Sequence, residues 1–246
     1  MGRRIRSAYG DQMLPVYSRV GHLSDELEPV EKYSNEFVFY IGEAMIAGAL
    51  IAEFASGAGR VLIPLAESGV EVYGVEASEE MIGLAKKVIS RRSAEVQERI
   101  HLIRGDMRRT RLPERVALII VPYITFWYNF FRNSPYYNFL CSGNERKEKH
   151  IQQRKFLHLS LQGEYCLRAI MENLFPGGRF IIDAPQCGNY AEEWWDAMAQ
   201  KYKFSYGIAR PYFCQNCRQR IPWQVSSRDF HVMTGVDEVL IGTKLD

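Results

Sequence analysis

Ala49-Leu50-Ile51-Ala52-Glu53-Phe54-Ala55-Ser56-Gly57-Ala58-Gly59-Arg60-Val61-Leu62 decides the fold. A short apolar run ends in an acid, breaks into small residues, and gives way at Val61 to an apolar pattern with helical spacing. That order spells strand, tight turn, helix. Gly57 and Gly59 let the backbone approach a ligand where a Cβ would collide, and the following helix directs unpaired N–H groups at the same spot. The turn is built to hold a ligand.

The next acid narrows the ligand. Val70-Glu71-Val72-Tyr73-Gly74-Val75 reads as a second strand that delivers Glu76 at its tip. Glu76 lies about 20 residues beyond Ala55, the spacing at which an acid takes a pair of ribose hydroxyls. A nucleoside is therefore expected. A dinucleotide fingerprint needs a third glycine where helix and strand pack closely, and that place falls on Arg60 or Leu62, which argues against NAD.

At this point the chain resembles the class I S-adenosylmethionine-dependent methyltransferases of the small-molecule type. Their first motif runs acid, apolar, Gly, x, Gly, x, Gly, and Glu53-Phe54-Ala55-Ser56-Gly57-Ala58-Gly59 is similar except that Ala55 replaces the first glycine. The likeness continues through 60–66, Gly74-Val75-Glu76-Ala77-Ser78-Glu79-Glu80-Met81, Gly105-Asp106-Met107 and Leu174-Phe175-Pro176-Gly177-Gly178-Arg179-Phe180, in family order over residues 34–185. It implies an α/β, Rossmann-like, doubly wound and mostly parallel sheet with an insertion after strand four. It also implies S-adenosyl-L-methionine as cofactor and S-adenosyl-L-homocysteine as product.

By this resemblance Glu53 lies close to the methionine amine, while Ala55, Ser56, Gly57 and Gly59 line the backbone cradle. Glu76 takes the ribose hydroxyls, and Asp106 with Met107 meets the adenine. Ala77, Met81, Val121 and Tyr17 complete the expected cofactor contacts. The chemistry agrees: a carboxylate at 76 can accept both hydroxyl hydrogens, and one at 106 can accept an exocyclic amine hydrogen. The other reading of Asp106 is a turn or helix-cap aspartate. The family often has Asp early in strand four, where this chain reads Arg115-Val116-Ala117-Leu118.

Val121-Pro122-Tyr123 has the apolar-Pro-aromatic form that leads into the acceptor pocket of the small-molecule branch. It lacks the first polar residue and one proline of the Asn/Asp-Pro-Pro-Tyr signature of amino-methylating nucleic-acid enzymes. Tyr123, Phe126, Trp127 and Tyr128 are the candidate acceptor wall; the alternative is an aromatic core beneath the insertion. Displacement at a sulfonium methyl asks mainly for donor and acceptor at near-attack distance with water excluded. An O or N acceptor must also lose a proton, for which His22, Tyr123 and His158 are the candidates.

With 246 residues, 47% of them hydrophobic, the chain suffices for one α/β domain over 1–246. Within it, 1–47 is expected as an N-terminal cap segment, 48–184 as the cofactor-binding core, 126–161 as an insertion or lid, and 185–246 as closing strands. A net charge of +2, from 31 basic against 29 acidic residues, provides no field for nucleic acid or an anionic membrane, so a small-molecule partner is expected. Ser7 to Gln12 is polar where a secretory signal needs an apolar segment, and Val116 to Phe131 is shorter than the ~20 residues of a spanning helix. The five cysteines, odd in number and unevenly spread, fit a reducing compartment, so a cytoplasmic location is expected.

No metal is expected: Cys214-x-x-Cys217, with Cys187 and His231 elsewhere, lacks a second half at recognisable spacing. Arg104, Arg108, Arg109 and Arg111 form either a phosphate patch or a solvated loop. Two other functions compete with small-molecule methylation: a cofactor-binding protein without turnover, suggested by Ala55 and Ala117, and an RNA or protein methyltransferase.

Among the elements, a helix begins at Ser34 with Phe37, Ile41, Ala44 and Met45 turned inward. Another runs from about Gly59 to Glu67, stopped by Ser68-Gly69. A third is capped by Ser78, with Met81, Ile82, Ala85, Val88 and Ile89 inward. Ile100–Arg104 and Val116–Val121 are strands three and four. Gly163–Leu174 is a helix that leads through Pro176-Gly177-Gly178 to strand five, Arg179–Asp183, and Tyr190–Tyr202 is a helix. Phe204–Phe213 and Ile221–Met233 are closing strands.

Overall fold

The computed structural model describes residues 35–122, 126, 163–183, 189–209 and 239–246. Seven strands form one sheet: β1 (Ile51–Phe54), β2 (Val72–Glu76), β3 (Ile100–Arg104), β4 (Val116–Val121), β5 (Leu174–Asp183), β6 (Phe204–Ala209) and β7 (Val239–Lys244). Their order is β3-β2-β1-β4-β5-β7-β6, parallel from β3 to β5 and antiparallel where β7 meets β5 and β6. The chain winds outward from β1 in both directions, so a crevice opens beyond the carboxyl ends of β1 and β4.

The central strands are mostly apolar because both faces are covered, the exceptions being Glu53 on β1 and Glu76 at the tip of β2. On one face Ile51, Val72, Leu118, Ile120 and Ile181 pack against α1 (Asn35–Ala47), α2 (Leu62–Glu67) and α4 (Ala94–Glu98). On the other, Phe54, Val75, Ile119, Val121 and Ile182 meet α5, the helical residues 163–173, and α6 (Asn189–Tyr202). α3 (Glu79–Ile89) lays Ile82, Ala85 and Ile89 inward, and its Ser78 cap accepts from the Met81 N–H at 3.2 Å.

Several expectations need correcting. Met45 is 63% exposed, because the packed stripe of α1 runs through Phe39, Tyr40, Glu43 and Ala44, where Glu43 pairs with Arg179 of β5. α2 starts at Leu62, after a turn from Gly59, which puts Pro64 in the first helical turn where its missing N–H costs no intrahelical bond. Met81 and Val88 are only partly buried. α4, capped by Ser93, was not anticipated.

Strand five begins at Leu174 and not at Arg179, so Pro176-Gly177-Gly178 is part of β5, which absorbs it by a register shift opposite Val116 and Leu118, with Gly177 at φ 73°. β7 was missed, and the expected strand Ile221–Met233 lies outside the described residues. The expected insertion also lies outside them, apart from Phe126. Among the described residues, no helix is long and apolar enough to cross a membrane.

Candidate functional site

The turn after β1 is tight because three of its residues take left-handed backbone: Ala55 at φ 60°, Gly57 at 55° and Gly59 at 93°. Ser56 donates its N–H to the Val75 carbonyl at 3.1 Å, and Gly59 donates to the Ser56 carbonyl at 2.9 Å. Beneath the bend, a Cβ at Gly57 would stand 3.4 Å from Met81 Cε and one at Gly59 3.1 Å from Ile63 Cδ1. Side chains of α2 and α3 therefore buttress the turn, and its amides are carried on a fixed support.

Glu76, 6% exposed at the tip of β2, ties this turn to the next strand. Its Oε2 accepts the Gly57 N–H at 2.9 Å and its Oε1 the Ser78 N–H at 2.8 Å. Burial pushes its carboxyl above the usual 4.5, opposed by the N–H groups of Ser78, Gly57 and Ala77. A carboxylate has about four acceptor sites, so these main-chain donors leave acceptor capacity for a ligand hydroxyl. Glu53, 2% exposed on β1, is a second buried acid beside the turn.

Ser56 is buried, and its Oγ has no hydrogen-bond partner among the described residues. It lies against β2 at Gly74, where an added Cβ would be 3.0 Å from Ser56 Oγ and 2.7 Å from Leu62 Cδ2. The Ser56 side chain thus packs under the turn, against the strand.

Beyond β3 the chain makes a third turn. The Gly105 N–H reaches the Glu76 carbonyl at 2.9 Å, so this turn is joined to the second. The Asp106 carbonyl accepts the Arg109 and Thr110 N–H groups at 2.8 and 2.9 Å and the Thr110 hydroxyl at 2.9 Å. Burial alone would raise the Asp106 carboxyl, but Arg108 outweighs it and holds the group below its ordinary 3.8. Behind the pair lies Cys166, fully buried, its thiol pushed well up by burial. Met107 points into the core with the α5 residues.

The three turns stand at the carboxyl ends of three adjacent parallel strands, where open α/β sheets bind ligands. The structure therefore brings together Glu53, Ala55, Ser56, Gly57, Gly59, Glu76, Ala77, Asp106 and Met107, with Met81 under the first bend. Val121 is buried in the core at the end of β4. Phe126 is fully buried, stacked 5.7 Å from Trp195 and edge-on 6.3 Å from Trp194. Tyr17, His22, Tyr123, Trp127, Tyr128 and His158 lie outside the described residues, as do the four zinc candidates. Among the described residues no group of three His, Cys, Asp or Glu side chains could hold a metal ion.

Sequence reasoning missed Arg108 as the partner of Asp106. An acid followed two residues later by an arginine, just past a strand, is the available signal, since an Asp carboxylate commonly accepts from the N–H two residues on.

Residues 51–133 match a family model described as a methyltransferase domain. No curated protein matches the sequence. Among solved structures, the chain is similar to the glycopeptide N-methyltransferase MtfA complexed with sinefungin, at 17% identity and TM-score 0.52, covering 87% of this chain and 95% of that one. It is also similar to the magnesium protoporphyrin IX methyltransferase ChlM from Synechocystis PCC 6803 with bound SAM, at 17% identity and TM-score 0.53, covering 98% and 89%. A SAM-dependent O-methyltransferase from Thermotoga maritima aligns at 16% identity and TM-score 0.52, over 87% of this chain and 66% of that one. These likenesses show a shared fold.

Proposed function

We propose, from the premise that the chain carries a methyltransferase domain of the class I S-adenosylmethionine-dependent fold, that it moves a methyl group from S-adenosylmethionine to an O, N or C atom of a small-molecule acceptor. The observation that carries this reading is the junction of Gly57 with Glu76: a left-handed bend whose amide is bonded to a buried acid that retains acceptor capacity. An adenosyl group with vicinal hydroxyls and a methionine tail fits such a junction. The first bend presents main-chain amides, Glu76 presents a carboxylate, and the second buried acid at Glu53 suits an ammonium.

When bound, S-adenosylmethionine supplies an activated methyl on a sulfonium. What the chain contributes is placement and dryness. Glu53 holds the amine, the 55–59 turn the methionine portion, Glu76 the ribose hydroxyls, and the Asp106–Met107 turn the base. Ala55 takes the left-handed backbone of the glycine it replaces, so the substitution leaves the bend intact. Tyr123, Trp127 and Tyr128 would face the acceptor, with Phe126 anchored on Trp194 and Trp195 behind them. His22, Tyr123 or His158 would take the proton an O or N acceptor loses.

The net charge of +2 supports a small acceptor, as does the range of acceptors named for similar folds, a glycopeptide and a porphyrin. We read 1–246 as one catalytic unit working in the cytoplasm. The test is incubation of the purified chain with methyl-labelled S-adenosylmethionine and a metabolite extract. Label is expected in a small-molecule fraction and not with Glu76→Ala. Binding without transfer to any fraction would point to a cofactor-binding protein without turnover, and label in RNA or protein to a macromolecular acceptor.

A further inference from the structure

The amino end of the parallel strands, the far end of the sheet from the three turns, carries a second surface. Of the five large apolar side chains exposed among the described residues, four stand there: Met45 at 63% and Ile46 at 72% near the end of α1, Phe175 at 47% near the start of β5, and Leu245 at 50% just after β7. Three elements bring them to one place. Glu43 of α1 pairs with Arg179 of β5 at 2.5 Å, and Lys244 of β7 donates to the Met171 and Leu174 carbonyls, at 2.9 Å each, where β5 begins.

The helix shows why this surface calls for a cover. From Phe37 to Ala47 its only charged residue is Glu43, which is buried against Arg179. Phe39, Tyr40 and Ala44 are apolar on the side that meets the sheet, and Met45 and Ile46 are apolar on the side that does not. A helix apolar on both sides is one that packs on both. Gly42 stands three and four residues before Met45 and Ile46, on the same stripe, and nothing lies within 4 Å of a Cβ placed on it, so another backbone can come close.

The rest of the chain joins from the opposite end. Residues 1–34 enter α1 at Asn35, the other end of the helix from Met45 and Ile46. Residues 127–162 lie between the carboxyl end of β4 and the start of the helix at 163, and 184–188 follow the carboxyl end of β5. Residues 210–238 join Ala209 to Val239, which pair with each other beside Asp183 at that same end. Charge narrows the occupant further. The exposed apolar side chains carry none, and Lys203 and Asp246, exposed beside Leu245, set one charge of each sign at the border. A patch of one sign would repel its own copy, whereas a neutral patch with a mixed border complements itself across a twofold axis.

We infer that a second copy of this chain docks on this surface, the two α1 helices crossing near Gly42 in an isologous pair. The four side chains expose on the order of 400 Å² of apolar surface, about half of what one partner buries in a standard interface, so the dimer is a weak one with a micromolar dissociation constant. Both crevices beyond β1 and β4 stay open, because the contact lies at the other end of the sheet. The inference goes beyond the methyltransferase reading and stands or falls without it.

Sedimentation equilibrium of the full chain tests it. The mass is expected to rise from monomer to dimer across the micromolar range and to stop there. Ile46→Glu combined with Leu245→Glu should weaken association about 100-fold or more, since each copy would bury unpaired carboxylates, while Tyr165→Glu, at the exposed apolar residue outside the patch, should leave it unchanged. If the double variant fails to fold by its melting curve, Met45→Ser with Ile46→Ser takes its place, with about a tenfold loss expected. A chain that stays monomeric throughout, a dimer that the patch variants leave intact, a dimer that Tyr165→Glu disrupts equally, or growth beyond two copies would overturn the inference.

Discussion

At Ala55 the backbone adopts φ 60°, a conformation that crowds a Cβ against its own carbonyl and costs about 1 kcal/mol for an L-residue. The chain accepts this cost in a turn whose neighbours at 57 and 59 are glycines. Ala55→Gly should therefore stabilise the fold by roughly 0.5–1 kcal/mol, the relief of strain being partly offset by the greater freedom of glycine in the unfolded chain. Chemical denaturation of the two proteins measures it; an unchanged or lower midpoint would show that the methyl group packs well enough to offset its strain. Glu76 gives the second expectation at this scale. Because burial raises its carboxyl above 4.5, ionisation opposes folding: this contribution to stability is full below pH 4.5 and lost as pH rises through the folded value. Ligand binding runs the other way, since the ionised group accepts ribose hydroxyls and the protonated group has one acceptor fewer. Affinity for S-adenosylhomocysteine should fall on acidification while the pH is still above 4.5, and Glu76→Gln should bind about tenfold more weakly with a flat profile. Calorimetry at stepped pH reads both.

Among the elements, β7 shows how a strand can hide. Gly242 sits in its middle and looks like a breaker, but it pairs in register with Phe180 of β5, and an added Cβ would strike the Phe180 ring. The glycine is there to admit that ring, which packs edge-on against Phe204 of β6 at 5.2 Å. Gly242→Ala should cost about 1–3 kcal/mol by overpacking, and Phe180→Leu in the same chain should recover part of it. Denaturant midpoints of the single and double variants decide this; equal losses would mean that the ring has room to move. β3 and β4, by contrast, were legible to the residue, because a run such as Val116–Val121 is apolar throughout, follows the polar Glu114-Arg115 and stops at Pro122. In the site, Glu53, Gly57, Gly59 and Glu76 could be read because an acid or a glycine at a strand tip interrupts an apolar pattern. Arg108 carried only the weaker signal of its place two residues after an acid, since an arginine in a loop looks the same whether it meets water or a buried carboxylate. Pro176-Gly177-Gly178 misled for a related reason: residues that usually make turns also make bulges, and only the partner strand distinguishes them.

Across the molecule, the sheet divides into two regions with different work. From β5 through β7 to β6 it is antiparallel, held by paired strands and by the aromatic packing of Phe180, Trp195 and Phe204. From β1 to β3 the carboxyl ends carry turns joined through one residue: Glu76 takes the Gly57 N–H on its side chain and the Gly105 N–H on its carbonyl. A ligand lying across those turns would brace the second region and leave the first unchanged. Saturation with S-adenosylhomocysteine at about 100 times its dissociation constant should add roughly 2.7 kcal/mol to stability, a rise in melting temperature of about 5–10 °C for a chain of this size. Amide exchange should slow at 55–59, 76–78 and 105–108, with no local change at 204–209 or 239–244 beyond the global shift. Protection centred on the antiparallel strands instead would put the ligand at a different part of the sheet, and would count against the junction of Gly57 with Glu76 as the place where the adenosyl group is held.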